Sequence, residues 1–116
     1  MRDQIHARDV ANLFLAFFEA PRCGEVYNLG GGRQNSLSVK ETIDLLEEAG
    51  YKLKWQYEEK NRTGDHICYI SDLTKLRSHF PMWELQYNLH RILQELVSSA
   101  EARLPSRTDR LHTLAF

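Results

Sequence analysis

Arg62-Thr63-Gly64-Asp65 sets a cation and an anion on a glycine bend just before the apolar run Ile67-Cys68-Tyr69-Ile70. An arginine at such a place can offer a planar fork of donors to diphosphate oxygens, and the glycine allows a bend or a close backbone approach. An aspartate beside it can accept hydrogen bonds from ribose or sugar hydroxyls, so the tetrad suits a phosphorylated, hydroxyl-bearing ligand. On spacing alone it also describes a solvated turn, because Gly and Asp favour turns on their own account. Asp65, His66 and Cys68 carry metal-capable groups, but a structural zinc site needs four convergent ligands, and His6, His79, His90 and His112 form no pattern with them. A strand that turns Cys68 away from Ile67 and Tyr69 is the plainer reading.

The elements that would position this tetrad are those of an α/β chain. Residues 2–6 read as a short extended piece, after which Asp9 can cap a helix carrying Val10, Leu13, Phe14, Phe17 and Phe18 on one face, ended by Pro21 and Gly24. Residues 25–29 read as a strand, and the triple glycine at 30–32 as a flexible turn. Ser38 and Glu41 form a capping box for a helix with Val39, Ile43 and Leu46 inward, stopped by Gly50. Two further strands are expected at 53–58 and 67–70. A short helix through Leu73 and Leu76 then breaks at Pro81, and Asn88 caps a last helix bearing Leu89, Ile92, Leu93, Leu96 and Val97. Trp55 and Trp83 are expected to be core or lobe-packing aromatics, and His6 is expected to pack rather than to catalyse. The polar stretch 105–116 is expected to be a mobile tail behind a folded region of residues 1–104.

Three blocks occur in order: Arg2-Asp3-Gln4-Ile5-His6-Ala7-Arg8-Asp9-Val10, then Gly24-Glu25-Val26-Tyr27-Asn28-Leu29-Gly30-Gly31-Gly32, then Arg62-Thr63-Gly64-Asp65. As a set they resemble the carboxy-terminal third of the extended short-chain dehydrogenase/reductase family of nucleotide-sugar epimerases and dehydratases. The likeness covers roughly residues 2–97, and the stretch from Gly30 to Asp72 is most similar to family members that act on CDP-sugars. The resemblance implies a Rossmann-type fold of which this chain supplies the carboxy-terminal portion, with a nucleotide-diphosphate sugar as ligand. It implies that Arg2 and Arg62 hold the diphosphate and that Asp65 holds ribose or sugar hydroxyls.

The family's cofactor and catalytic motifs do not occur here. Gly30-Gly31-Gly32 departs from G-x-G-x-x-G because the sixth position is Asn35, so the small residues that bring a backbone against a pyrophosphate are missing. The family's Tyr-x-x-x-Lys pair is missing too: Tyr27, Tyr51, Tyr57, Tyr69 and Tyr87 are followed at that spacing by Gly31, Trp55, Asn61, Leu73 and Arg91. The expectation is therefore a piece of an NAD-dependent epimerase that binds no cofactor by itself, has no catalytic residue, and began upstream of Met1. It would need a separate amino-terminal Rossmann half, or would self-associate through uncovered apolar faces. The alternative is a non-catalytic binding or protein-interaction module that keeps a remnant of the fold.

Composition narrows the partners further. With 116 residues, 42% hydrophobic, and a formal charge of -1, the chain can hold one small domain and exerts no strong pull on nucleic acid or anionic membrane. No apolar run approaches a membrane span and Met1-Arg2-Asp3-Gln4 does not begin a signal peptide, so a cytoplasmic location is expected. Cys23 and Cys68 form no C-x-x-C pair and are expected to be reduced, partly buried thiols.

Overall fold

The computed structural model describes residues 1–60 and 63–103. Among the described residues, four α-helices, one 3-10 helix and one two-stranded sheet make up the regular structure, an α/β arrangement. Strand β1 (Arg2–Asp3) pairs antiparallel with β2 (Ser36–Leu37), in the register Arg2 to Leu37 and Asp3 to Ser36. On its other side β1 meets Tyr69 in a single parallel bridge, with the Tyr69 amide donating to the Met1 carbonyl oxygen at 3.0 Å.

The helices form where local chemistry directs them. Helix α1 (Ala7–Glu19) is capped by His6, whose Nδ1 accepts from the Arg8 amide at 3.1 Å, and not by Asp9 as expected. Asp9 is drawn away because it is fully buried: Oδ1 accepts from the Gln86 amide at 3.1 Å and Oδ2 from the Tyr87 amide at 3.2 Å. Helix α2 (Val39–Glu48) has the expected capping box, the Ser38 amide donating to Glu41 Oε2 at 2.6 Å and the Glu41 amide to Ser38 Oγ at 3.1 Å. None of its residues is buried: Ile43 and Leu46 are half-covered, and Val39 in the first turn is exposed. Helix α3 (Thr74–His79) stops before Pro81, and helix α4 (Leu89–Arg103) starts where Asn88 Oδ1 accepts from the Arg91 amide at 3.0 Å.

The core lies where α1 meets α3 and the segment after it. Leu13, Leu73, Leu76, Phe80 and Trp83 are buried together, with Phe17, Tyr27, Leu29 and Leu85 packed against them. Trp83 adds a bond from Nε1 to the Asp9 carbonyl oxygen at 3.1 Å, so the indole is satisfied at both its apolar and its polar end. The expected apolar face of α1 is divided. Leu13 is buried and Phe17 half-buried, whereas Phe14 is 65% and Phe18 85% exposed.

Several expectations are corrected. Residues 25–29 and 53–58 form no ladder, and 67–70 contributes only the bridge at Tyr69. A strand exists only with a neighbour to take its amides and carbonyls, and the described residues present none beside the first two segments. Trp55 is about half exposed, and both cysteines are exposed thiols. The glycines at 30–32 are buried rather than flexible. Among the described residues, no helix is long and apolar enough to cross a membrane. The stretch 105–116 lies outside the described residues.

Candidate functional site

Strand β1 carries the centre of the candidate site, because Arg2 and Asp3 point to opposite faces of it. Asp3 Oδ2 accepts from the Gly32 amide at 2.9 Å and from the Ser71 amide at 3.1 Å, so one carboxylate oxygen ties the glycine turn to the segment that leads into α3. Burial pushes the Asp3 carboxyl upward, but hydrogen bonds from Ser71 and Gly32 outweigh this and hold it below its ordinary value. The turn must be glycine to come this close: a Cβ on Gly30 would meet Asp3 Oδ2 and the Ser71 side chain, and one on Gly31 would run into the Gln4 carbonyl oxygen.

Arg2 lies between β2 and the Tyr69 segment. Its Nη1 is buried and has no hydrogen-bond partner among the described residues. A guanidinium nitrogen removed from water without an acceptor is costly, and a phosphate oxygen is the acceptor that a planar fork of donors fits best. Asp65 is exposed on a bend where Gly64 has φ +87°, the left-handed conformation the expected glycine bend requires. Two residues further on, the Ile67 carbonyl oxygen accepts from the Met1 ammonium at 2.8 Å. The backbone therefore brings the segment that follows Asp65 against the strand that carries Arg2. Arg62 lies outside the described residues.

His6 is engaged as a helix cap and packing group. Nδ1 accepts from Arg8, Nε2 lies 3.0 Å from Glu95 Oε2, and the ring stacks on Tyr87 with centroids 3.9 Å apart, so both nitrogens and one face are engaged. Tyr27 is held elsewhere, its hydroxyl 2.7 Å from His79 Nδ1 and its ring 5.2 Å from Lys75 Nζ. No group of three or more His, Cys, Asp or Glu side chains among the described residues could hold a metal ion.

Reading the motifs missed Asp3 and Ser71, although they fix the backbone around Arg2. The available signal was the adjacency of Asp3 to Arg2 in a short extended segment, where alternation sends the two side chains to different tasks. No protein-family model matches the chain, and no match emerges among curated proteins or solved structures.

Proposed function

We propose that this chain is the nucleotide-sugar-binding part of an NAD-dependent epimerase of the extended short-chain dehydrogenase/reductase type, nearest to CDP-paratose 2-epimerase, and inactive alone. The observation that carries this reading is the buried Nη1 of Arg2, unpartnered among the described residues, on the strand next to the segment that follows Asp65. Arg2 and Arg62 would hold the diphosphate, and Asp65 the ribose or sugar hydroxyls. In the complete enzyme NAD would take up a hydride from a sugar hydroxyl carbon and return it to the other face. This chain's share is to bind and orient the nucleotide sugar. Its glycine turn does not fit a pyrophosphate, because the Asp3 carboxylate and the Ser71 side chain fill the space above Gly30. No step through NAD is therefore assigned to these residues, and none of them is assigned a catalytic role.

The second reading, a non-catalytic interaction module, is favoured by the exposure of Phe14, Leu15 and Phe18 on α1. Calorimetry with CDP-glucose, CDP and NAD separates the two, run on the chain alone and with an amino-terminal Rossmann half supplied. The epimerase reading expects CDP-glucose and CDP to bind, with NAD binding and turnover appearing only when the second half is present. Turnover of a CDP-sugar by the chain alone would overturn its inactivity, and failure of CDP and CDP-glucose to bind in both settings would favour the interaction module.

A further inference from the structure

A cleft with charged walls runs beside Gly32 and Ser71, the two residues that the Asp3 clamp holds. One wall is the turn entering the 3-10 helix (Arg33–Asn35), with Arg33 and Gln34; the facing wall is the start of α3, with Asp72, Thr74 and Arg77. The cleft is open and encloses about 640 Å³, room for a small metabolite. Its two walls begin at Gly32 and Ser71, the residues whose amides both donate to Asp3 Oδ2, so its width is set by a single carboxylate.

The charges in this cleft are unevenly engaged. Neither the Arg33 nor the Arg77 guanidinium has a hydrogen-bond or carboxylate partner among the described residues, although Asp72 stands on the same cleft. Asp72 is held by its neighbour: Oδ1 accepts from the Thr74 amide at 2.9 Å and from Thr74 Oγ1 at 2.6 Å. Those bonds keep the carboxyl below its ordinary range and leave Oδ2 as an acceptor. Two fork donors, one fixed acceptor and the Gln34 amide make a set that neither a bare anion nor a neutral sugar would use in full.

We propose that the cleft between Arg33 and Arg77 binds a hydroxylated phosphate ester of the sugar-phosphate class, the phosphate lying between the two guanidinium groups and a hydroxyl donating to Asp72 Oδ2. This site is separate from the Arg2 face of β1 and does not depend on the function proposed for that face. Its chemistry requires both parts of the ligand: phosphate to answer the two cations, and a hydroxyl to relieve the negative charge of Asp72.

Titration of the full chain with glucose 1-phosphate, inorganic phosphate and glucose tests the assignment. Glucose 1-phosphate should bind more tightly than either of the others, with an affinity that falls as salt is added. Arg33→Ala/Arg77→Ala should weaken it by at least about tenfold, since two charge-assisted contacts are lost. Both side chains are exposed, and an unchanged circular dichroism spectrum would confirm that the variant folds. Asp72→Asn should weaken glucose 1-phosphate without weakening inorganic phosphate, and Arg2→Ala should leave this binding unaltered. No binding at millimolar concentration, equal affinity for inorganic phosphate, or an unchanged affinity in the double variant would overturn the proposal.

Discussion

The Tyr87 amide donates to Asp9 Oδ2 at 3.2 Å across 78 residues of sequence, inside a site that no water reaches at Asp9. With the bond from the Gln86 amide, this makes Asp9 the tie between α1 and the segment before α4. Removing the carboxylate strands two amides, each costing about 1–3 kcal/mol when left unpaired in the interior. Asp9→Ala should therefore lower stability by about 3 kcal/mol, and Asp9→Asn by less, since one carbonyl oxygen remains to accept. Denaturant melts of the two variants measure the difference, and equal losses would show that packing rather than hydrogen bonding holds this junction.

Arg2 should behave in the opposite way. Its buried Nη1 has no partner among the described residues, so Arg2→Ala should leave the melting temperature unchanged or raised. The same change should weaken CDP-glucose binding by about 1.5–3 kcal/mol, the worth of a hydrogen bond to a charged group. A large stability loss with unaltered ligand affinity would make Arg2 a structural residue.

The Asp3 clamp predicts a particular acid response. Its carboxyl is held below its ordinary value in the folded chain, so the unfolded chain takes up a proton first as the pH falls. The stabilisation is complete above the ordinary value of 3.8 and is lost as the pH drops through the lower folded value. Asp3→Asn removes this dependence. The stability gap between the native chain and the variant should narrow between neutral pH and about pH 3, as acid titration of both would register. A gap that stayed constant would mean that the clamp does not rely on charge.

Gly31→Ala should be far more damaging than Gly24→Ala. The new methyl at 31 meets the Gln4 carbonyl oxygen, and relief would require moving the chain beside β1, at about 1–3 kcal/mol or more. At 24 the space is open and only the left-handed conformation, φ +75°, is penalised, by about 1 kcal/mol. Paired thermal melts give the comparison, and similar costs at both positions would argue that the glycine turn yields.

Association is expected through α1. Phe14, Leu15 and Phe18 leave most of their surface in water on one short helix, which favours a partner or a second copy. Sedimentation should show self-association that Phe14→Ser/Phe18→Ser abolishes. A clean monomer with a sharp, concentration-independent melt would show that the chain's own core suffices.

What could be read in advance was what the chain settles locally. The Ser38 and Glu41 box, the stop before Pro81 and the Asn88 cap each involve groups within four residues of one another, and helices satisfy their own amides. Residues 25–29 carry the composition of a strand, but pairing depends on a neighbour that no local pattern supplies. Asp9 looked like a cap for the same reason: its true partners, Gln86 and Tyr87, come from the far end of the chain. At the site, the Gly64 bend was legible from residue type. The burial of the glycine turn was not, because it follows from Asp3 and Ser71 closing on it across a long stretch of sequence.

The Asp9–Tyr87 junction also has a meaning in time. On the ribosome α1 can form as soon as its own residues emerge, but Asp9 Oδ2 does not meet the Tyr87 amide until the chain has grown by a further 78 residues. At about 5–20 residues per second this leaves a carboxylate waiting for roughly 4–16 s. A codon-slowed stretch ahead of Tyr87 would lengthen that interval, and chaperone capture of the nascent chain should rise with it.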